Sequence, residues 1–183
     1  MSTIKTNKIQ TLGGFTYNVP VQVVTSSLGA ADLGTTDTAT SDRTNNNPAW
    51  AITTTTTTWT DTTNLQLTIT PKFSNSIIKL DLNVYMACET ANHGPAVRIK
   101  RGNKIIWRPT HDATGPFGTG YSTANSLHGV LSAVAFDSPA TTSPVTYSLQ
   151  YRSYNGGTCR IFAYGAAGAY GSSNYLIATE IAQ

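Results

Sequence analysis

The sequence predicts an all-β fold, an antiparallel sandwich or barrel, and three observations carry that prediction. Apolar and polar residues alternate at period two in three separate segments, which places the apolar set on one face of a strand. No window shows sustained 3.6-residue periodicity between capping signals. Turn formers recur between the segments and divide the 183-residue chain into about nine short strands.

Composition agrees with long β surfaces. The hydrophobic fraction of 39% in 183 residues allows one sizeable core, so one main domain is expected, spanning 49–183 after a leader of 1–48. Charged residues are only 11%, against about 25% in ordinary soluble domains. Threonine fills 31 positions, so polarity here rests on hydroxyls and amides. Hydroxyls cost less to desolvate than charges, which suits surfaces that meet other protein surfaces and suits a cytosolic enzyme poorly. A net charge of +3 with a pI near 8.9 is mild and does not argue for a nucleic-acid partner. No stretch approaches the ~18 apolar residues of a membrane span, so no membrane insertion is expected. The opening MSTIKTNKIQ has no apolar core of the signal-peptide kind.

The leader carries slight alternation at Ile4 and Ile9, then the Gly13-Gly14 break, and its second half is nearly all turn and loop formers. A free chain of that composition is disordered. Its order therefore requires a surface, and a second chain is expected to supply it, with Ile4, Lys5, Lys8 and Ile9 as anchoring residues. Folding back over its own sandwich is the alternative.

Next comes AITTTTTTWT, Ala51 to Thr60, six threonines between Trp50 and Trp59. It lacks the prolines of a Ser/Thr-rich stalk and has aromatic anchors, so it reads as a strand of high β propensity. A strand polar on both faces specifies its register weakly. Either a neighbouring subunit fixes it through Thr54, Thr56, Thr58 and Trp59, or it is an edge strand with one face in water.

The three alternating segments follow. Leu65, Leu67 and Ile69 share one face and Pro71 ends the run. Ile78, Leu80, Leu82, Val84 and Met86 form the second set, and Val145, Tyr147, Leu149 and Tyr151 the third. Ala96 to Arg101 and Lys104 to Arg108 read as a hairpin, with Gly102-Asn103 supplying positive φ at a two-residue turn. Leu127 to Phe136, Thr158 to Tyr164 and Tyr175 to Ile181 complete the strands.

The hairpin also holds the one concentration of charge: Arg98, Lys100, Arg101, Lys104 and Arg108. Such a face could meet phosphate or carboxylate groups, including acidic sugars, or it could simply be a solvated edge that discourages aggregation. The long irregular stretch Arg108 to Ser126 offers His111, Phe117 and Tyr121, whose rings would suit sugar or protein contact or would pack the loop on its own sandwich. Tyr164 to Tyr175, rich in small residues, is a second loop of this kind.

Catalytic signatures are weak. His93, His111 and His128 have no metal-ligand spacing, Cys88 and Cys159 stand far apart, and no cofactor or metal is expected. The thiols read as free, in a chain made in a reducing cytosol. Nucleophile-elbow and phosphate-loop motifs are absent, and the nine acidic residues are scattered. The sequence is therefore read as non-enzymatic.

Four stretches carry a family resemblance. MSTIKTNKIQ resembles the start of many marine phage structural proteins. ITPKFSNSIIKLDLNVYM, FDSPATTSPVTYSLQYRS and the terminal NYLIATEIAQ resemble the jelly-roll domain of tail fibres and other virion appendages of bacteriophages, notably those of cyanobacteria. The resemblance covers roughly 50–183 and the N-terminal motif. It implies a jelly roll like those of the complement and tumour-necrosis-factor families, commonly trimeric and displayed on a virion assembled in the bacterial cytoplasm. It further implies attachment to other tail or capsid proteins through the arm, and loops turned to a host-surface glycan or protein. A capsid decoration, cement or head-fibre protein with no host-binding role is the alternative, and an enzyme degrading host polysaccharide is a third reading. The chain is short and has no coiled-coil or triple-helical shaft, which favours a compact appendage.

Overall fold

The computed structural model describes residues 8–10, 16–18, 20–28, 52–91, 93–109, 127–162 and 174–183. These form twelve strands. The first two, β1 (Lys8–Gln10) and β2 (Thr16–Asn18), pair antiparallel as a small sheet of their own. The rest build two antiparallel sheets. One contains β3 (Pro20–Leu28), β4 (Ile52–Thr54), β6 (Ile77–Cys88), β9 (Leu127–Asp137), β11 (Cys159–Ile161) and β12 (Asn174–Ile181), in the order β3-β12-β6-β11-β4 with β9 along the other side of β6. The other runs β5-β10-β7-β8, with β5 at Thr60–Ile69, β7 at Gly94–Arg101, β8 at Lys104–Trp107 and β10 at Val145–Tyr154.

The period-two segments do what their pattern demands. Leu65, Leu67 and Ile69 of β5, Val97 and Ile99 of β7 and Val145, Tyr147 and Leu149 of β10 face Ile78, Leu80, Leu82, Val84 and Met86 of β6 and Leu176 and Ala178 of β12, all buried in one cluster. Each Leu, Ile, Val or Met side chain among them contributes about 1.5–3 kcal/mol when fully removed from water, so this cluster is what holds the two sheets face to face. The predicted all-β antiparallel sandwich is the observed architecture. Between its strands the chain keeps crossing from one sheet to the other, and only β1–β2 and β7–β8 are hairpins among the described residues. In the β7–β8 turn Gly102 takes φ +56°, as the first central position of a type II′ turn requires, while Asn103 is not at positive φ.

Three expectations need correction. The threonine run is a strand only at Ile52–Thr54; Thr55 to Trp59 leave the ladder before β5 begins at Thr60. The hydroxyls themselves compete with it. Thr54 Oγ1 accepts from Thr56 N at 3.1 Å and Thr56 Oγ1 from Thr58 N at 3.2 Å, local bonds that threonine offers the backbone in place of a sheet partner. The register is set inside the chain, by Thr54 opposite Cys159 and by Ser153 N donating to Thr56 O at 2.6 Å.

The leader is the second case, because β3 is a strand of the sandwich, paired along β12 from Leu28 opposite Asn174 to Pro20 opposite Ile181. The run Pro20-Val21-Gln22-Val23-Val24-Thr25 is rich in β-branched residues, and β12 offers it a free ladder edge. The boundary at 48 thus cuts off a strand that belongs to the second unit. Third, the strand expected over Thr158 to Tyr164 ends at Ile161. Phe162 turns it with φ +77°, a conformation that costs a non-glycine residue about 1–3 kcal/mol. Its buried ring, its N–H to Tyr85 O at 2.8 Å and Asn174 Nδ2 to its own carbonyl at 2.7 Å hold it there.

Candidate functional site

The hairpin cations come together with acidic and aromatic partners. Asp137 closes β9 with its side chain 1% exposed. Its carboxylate accepts from Arg101 Nε at 2.6 Å and Nη2 at 3.3 Å, from Lys104 Nζ at 3.2 Å and from the buried Tyr147 hydroxyl at 2.8 Å. Burial pushes the Asp137 carboxyl up, but the bonds from Arg101, Tyr147 and Lys104 outweigh it and hold the group below its ordinary value. Burial and the Asp137 charge together drive the Tyr147 phenol far upward. Both therefore keep fixed protonation states at neutral pH.

Lys100 pairs with Asp61 at 2.5 Å, and Arg98 Nε donates to Gln150 Oε1 at 2.7 Å. The Lys100 hydrogen bond is the largest influence on Asp61 and lowers its carboxyl. Trp59 lies on this outer face with the Arg98 guanidinium 4.3 Å and the Arg152 guanidinium 4.7 Å from its ring centre, both within cation–π range. Arg98, Lys100, Arg101 and Lys104 thus all have partners within the chain, so the hairpin is a knit polar surface and not an open cationic cup. The structure brings Trp59 to these cations; Thr54 is buried in β4, Thr56 is half-buried and Thr58 is exposed. Ile4, Lys5, His111, Phe117 and Tyr121 lie outside the described residues, and Lys8 and Ile9 are placed only as backbone of β1.

A second polar centre has no signal in the sequence, because its partners lie up to 158 positions apart. Glu180 on β12 is fully buried; its Oε1 accepts from Lys72 N at 2.7 Å, Phe73 N at 3.2 Å and Ser76 Oγ at 2.6 Å, and its Oε2 from Gln22 Nε2 at 2.7 Å. Gln22 Nε2 also lies 2.6 Å from Thr70 O. Burial raises the Glu180 carboxyl, but Ser76, Gln22, Lys72 and Phe73 together hold it below its usual value. One carboxylate therefore pins the β5–β6 turn and the leader strand β3 to the last strand.

The outer face of the larger sheet is apolar at one margin. On β9 Val130, Val134 and Phe136 point outward at 48%, 52% and 62% exposure, with Ser132 between them bonded to Asn83. Their inward-facing neighbours Leu131, Ala133 and Ala135 pack on the core. Among the described residues no three of His, Cys, Asp and Glu are placed to hold a metal ion. No family model matches the chain, and no curated protein matches it.

Proposed function

We propose that the chain is a structural, non-enzymatic virion protein, a bacteriophage tail fibre or short tail appendage. In this reading the sandwich is a jelly roll that assembles as a homotrimer. The N-terminal arm, with Ile4, Lys5, Lys8 and Ile9, fixes it to other virion proteins, and the loop bearing His111, Phe117 and Tyr121 meets a host-surface glycan or protein. The sequence resemblance motivates the reading.

The observation that carries its assembly component is the row of Val130, Val134 and Phe136, exposed on one strand of a chain with so few charges. From Val130 to Phe136 the row runs roughly 20 Å, at ~3.4 Å per residue. A row of large exposed apolar side chains on one face of a strand suits contact with another protein. In light scattering the purified chain should be trimeric at micromolar concentration, and Val134→Asp with Phe136→Asp should yield a folded monomer. A wild-type monomer under those conditions would refute the assembly.

One observation favours the alternative, a capsid decoration or cement protein without host binding. Arg98, Lys100, Arg101 and Lys104 are all committed to partners within the chain, which leaves less charge for an acidic receptor. Imaging of the particle separates the two readings, because a decoration protein sits on the shell in hundreds of copies and a tail appendage in far fewer.

A further inference from the structure

Cys88 and Cys159 are 71 residues apart in sequence, yet they are directly opposed partners on the antiparallel strands β6 and β11. Directly opposed residues in such a ladder have Cα atoms about 4.5–5.5 Å apart, inside the ~4.4–6.8 Å range of disulfides. Both side chains turn to the same side, with Sγ atoms 3.5 Å apart and exposures of 1% and 0%. To reach the ~2.05 Å of an S–S bond the two sulfurs must approach each other by about 1.5 Å. Cys88 Sγ lies 3.2 Å from Thr90 O, and Cys159 Sγ 3.4 Å from Ser153 Oγ, which is itself anchored to the carbonyl of Gly157.

We propose that this pair is a site of oxidative cross-linking: with a low-molecular-weight disulfide such as oxidised glutathione as oxidant, Cys88 and Cys159 form an intramolecular disulfide between β6 and β11. The thiolate of Cys88 attacks one sulfur of the oxidant, releasing one reduced glutathione and leaving a mixed disulfide on Cys88. Cys159, deprotonated, then attacks Cys88 Sγ and expels the second glutathione thiolate, which takes up a proton. Two electrons pass from the protein to glutathione, and the protein loses two hydrogens.

The surroundings set the pace. Burial pushes the Cys159 thiol up to about 12, against the lowering hydrogen bond of Ser153 and with the charges of Cys88 and Glu89 adding to the rise. Since the thiolate is the attacking species, exchange in the closed native state is slow and the bond forms during folding or local opening. A chain folded in a reducing compartment keeps both thiols; one refolded in an oxidising medium closes them. None of this depends on the virion reading.

The test uses the full chain, reduced and unfolded in denaturant, then refolded at pH 8 in a buffer of oxidised and reduced glutathione; natively folded protein in the same buffer forms a second arm. Free thiols are counted after a denaturing quench, the intact mass is measured, and peptides are mapped without reduction. The expected result after refolding is loss of both thiols, a mass lower by two hydrogens and a cross-linked Cys88–Cys159 peptide pair. The melting temperature should rise by roughly 10 °C, the scale for closing a loop of this length in a chain of this size, and reductant should reverse it. Cys88→Ser and Cys159→Ser should show no such rise. Two titratable thiols in the refolded wild type, a stable glutathione adduct in place of ring closure, or cross-links only between chains would each overturn the proposal, whatever the variants do.

Discussion

Asp137→Asn isolates the polar centre that ties the two sheets together at the end of β9. The change keeps size and removes the charge. Its largest effect falls on Arg101, whose side chain is 23% exposed and donates at 2.6 Å to Asp137 Oδ2. A hydrogen bond to a charged group contributes about 1.5–3 kcal/mol when dry, and partial solvation of the guanidinium reduces that to roughly 1–2. The carboxamide also turns one acceptor into a donor facing a cation or the buried Tyr147 hydroxyl, which adds about 1 kcal/mol. Lys104, with 61% of its side chain exposed, should contribute almost nothing.

The expected loss is therefore about 2–3 kcal/mol, read as a lowered midpoint in urea unfolding with an unchanged slope. Tyr147→Phe should cost about 1 kcal/mol, and Lys104→Ala should stay within roughly 0.5. Acidification supplies the sign. The folded-state pKa of Asp137 lies below the unfolded reference of 3.8, so its contribution is complete above that value and is lost as pH falls through the folded one. The gap between wild type and Asp137→Asn should narrow below that pH. A variant within about 0.5 kcal/mol of wild type at neutral pH, or a gap that persists in acid, would refute the account.

Glu180→Gln should cost about 2 kcal/mol and loosen β3, because Gln22 loses its carboxylate partner; hydrogen exchange should show faster amides across Pro20–Leu28, whereas unchanged protection there would count against the pin. Since the Glu180 carboxyl is also held below its reference of 4.5, this contribution too is present above that pH and lost in acid. Trp59→Ala removes a half-buried ring from beneath two guanidinium groups, at about 0.5–1 kcal/mol for each contact plus about 1 for lost burial, or roughly 2–3 in all by chemical denaturation. Stability equal to wild type would mean the stacking adds nothing.

The strands that alternate cleanly were legible in the sequence. Ile78 to Met86 and Val145 to Arg152 lie inside β6 and β10, because one face of each must reach the core and period two admits no other register. Tyr175 to Ile181 matches β12 to within one residue through its aromatic and β-branched content, although its apolar residues fall on both faces. The threonine run was not, since its propensity for strand is cancelled by the hydroxyls at Thr54 and Thr56, which bond the backbone locally. β3 was not legible for a different reason. Val21, Val23 and Val24 do not alternate, and the partner that makes them a strand, β12, lies at the far end of the chain. The polar centres were beyond sequence reading altogether. Asp137 meets Arg101 and Lys104 across 36 and 33 positions, and Glu180 meets Ser76 across 104, so no spacing announces them.

The position of β12 has a consequence for biosynthesis. In the larger sheet the last strand to leave the ribosome lies between β3 and β6, with Pro20 opposite Ile181. Until β12 is made, β3 lacks the strand it pairs with in that sheet, and an emerging chain must keep Val21, Val23 and Val24 from pairing elsewhere until β12 arrives. Pairings of such long sequence separation form slowly, on the scale of milliseconds to seconds. A chain cut short before Asn174 would leave β3 and one side of β6 as unsatisfied edges, open to whatever strand they meet first.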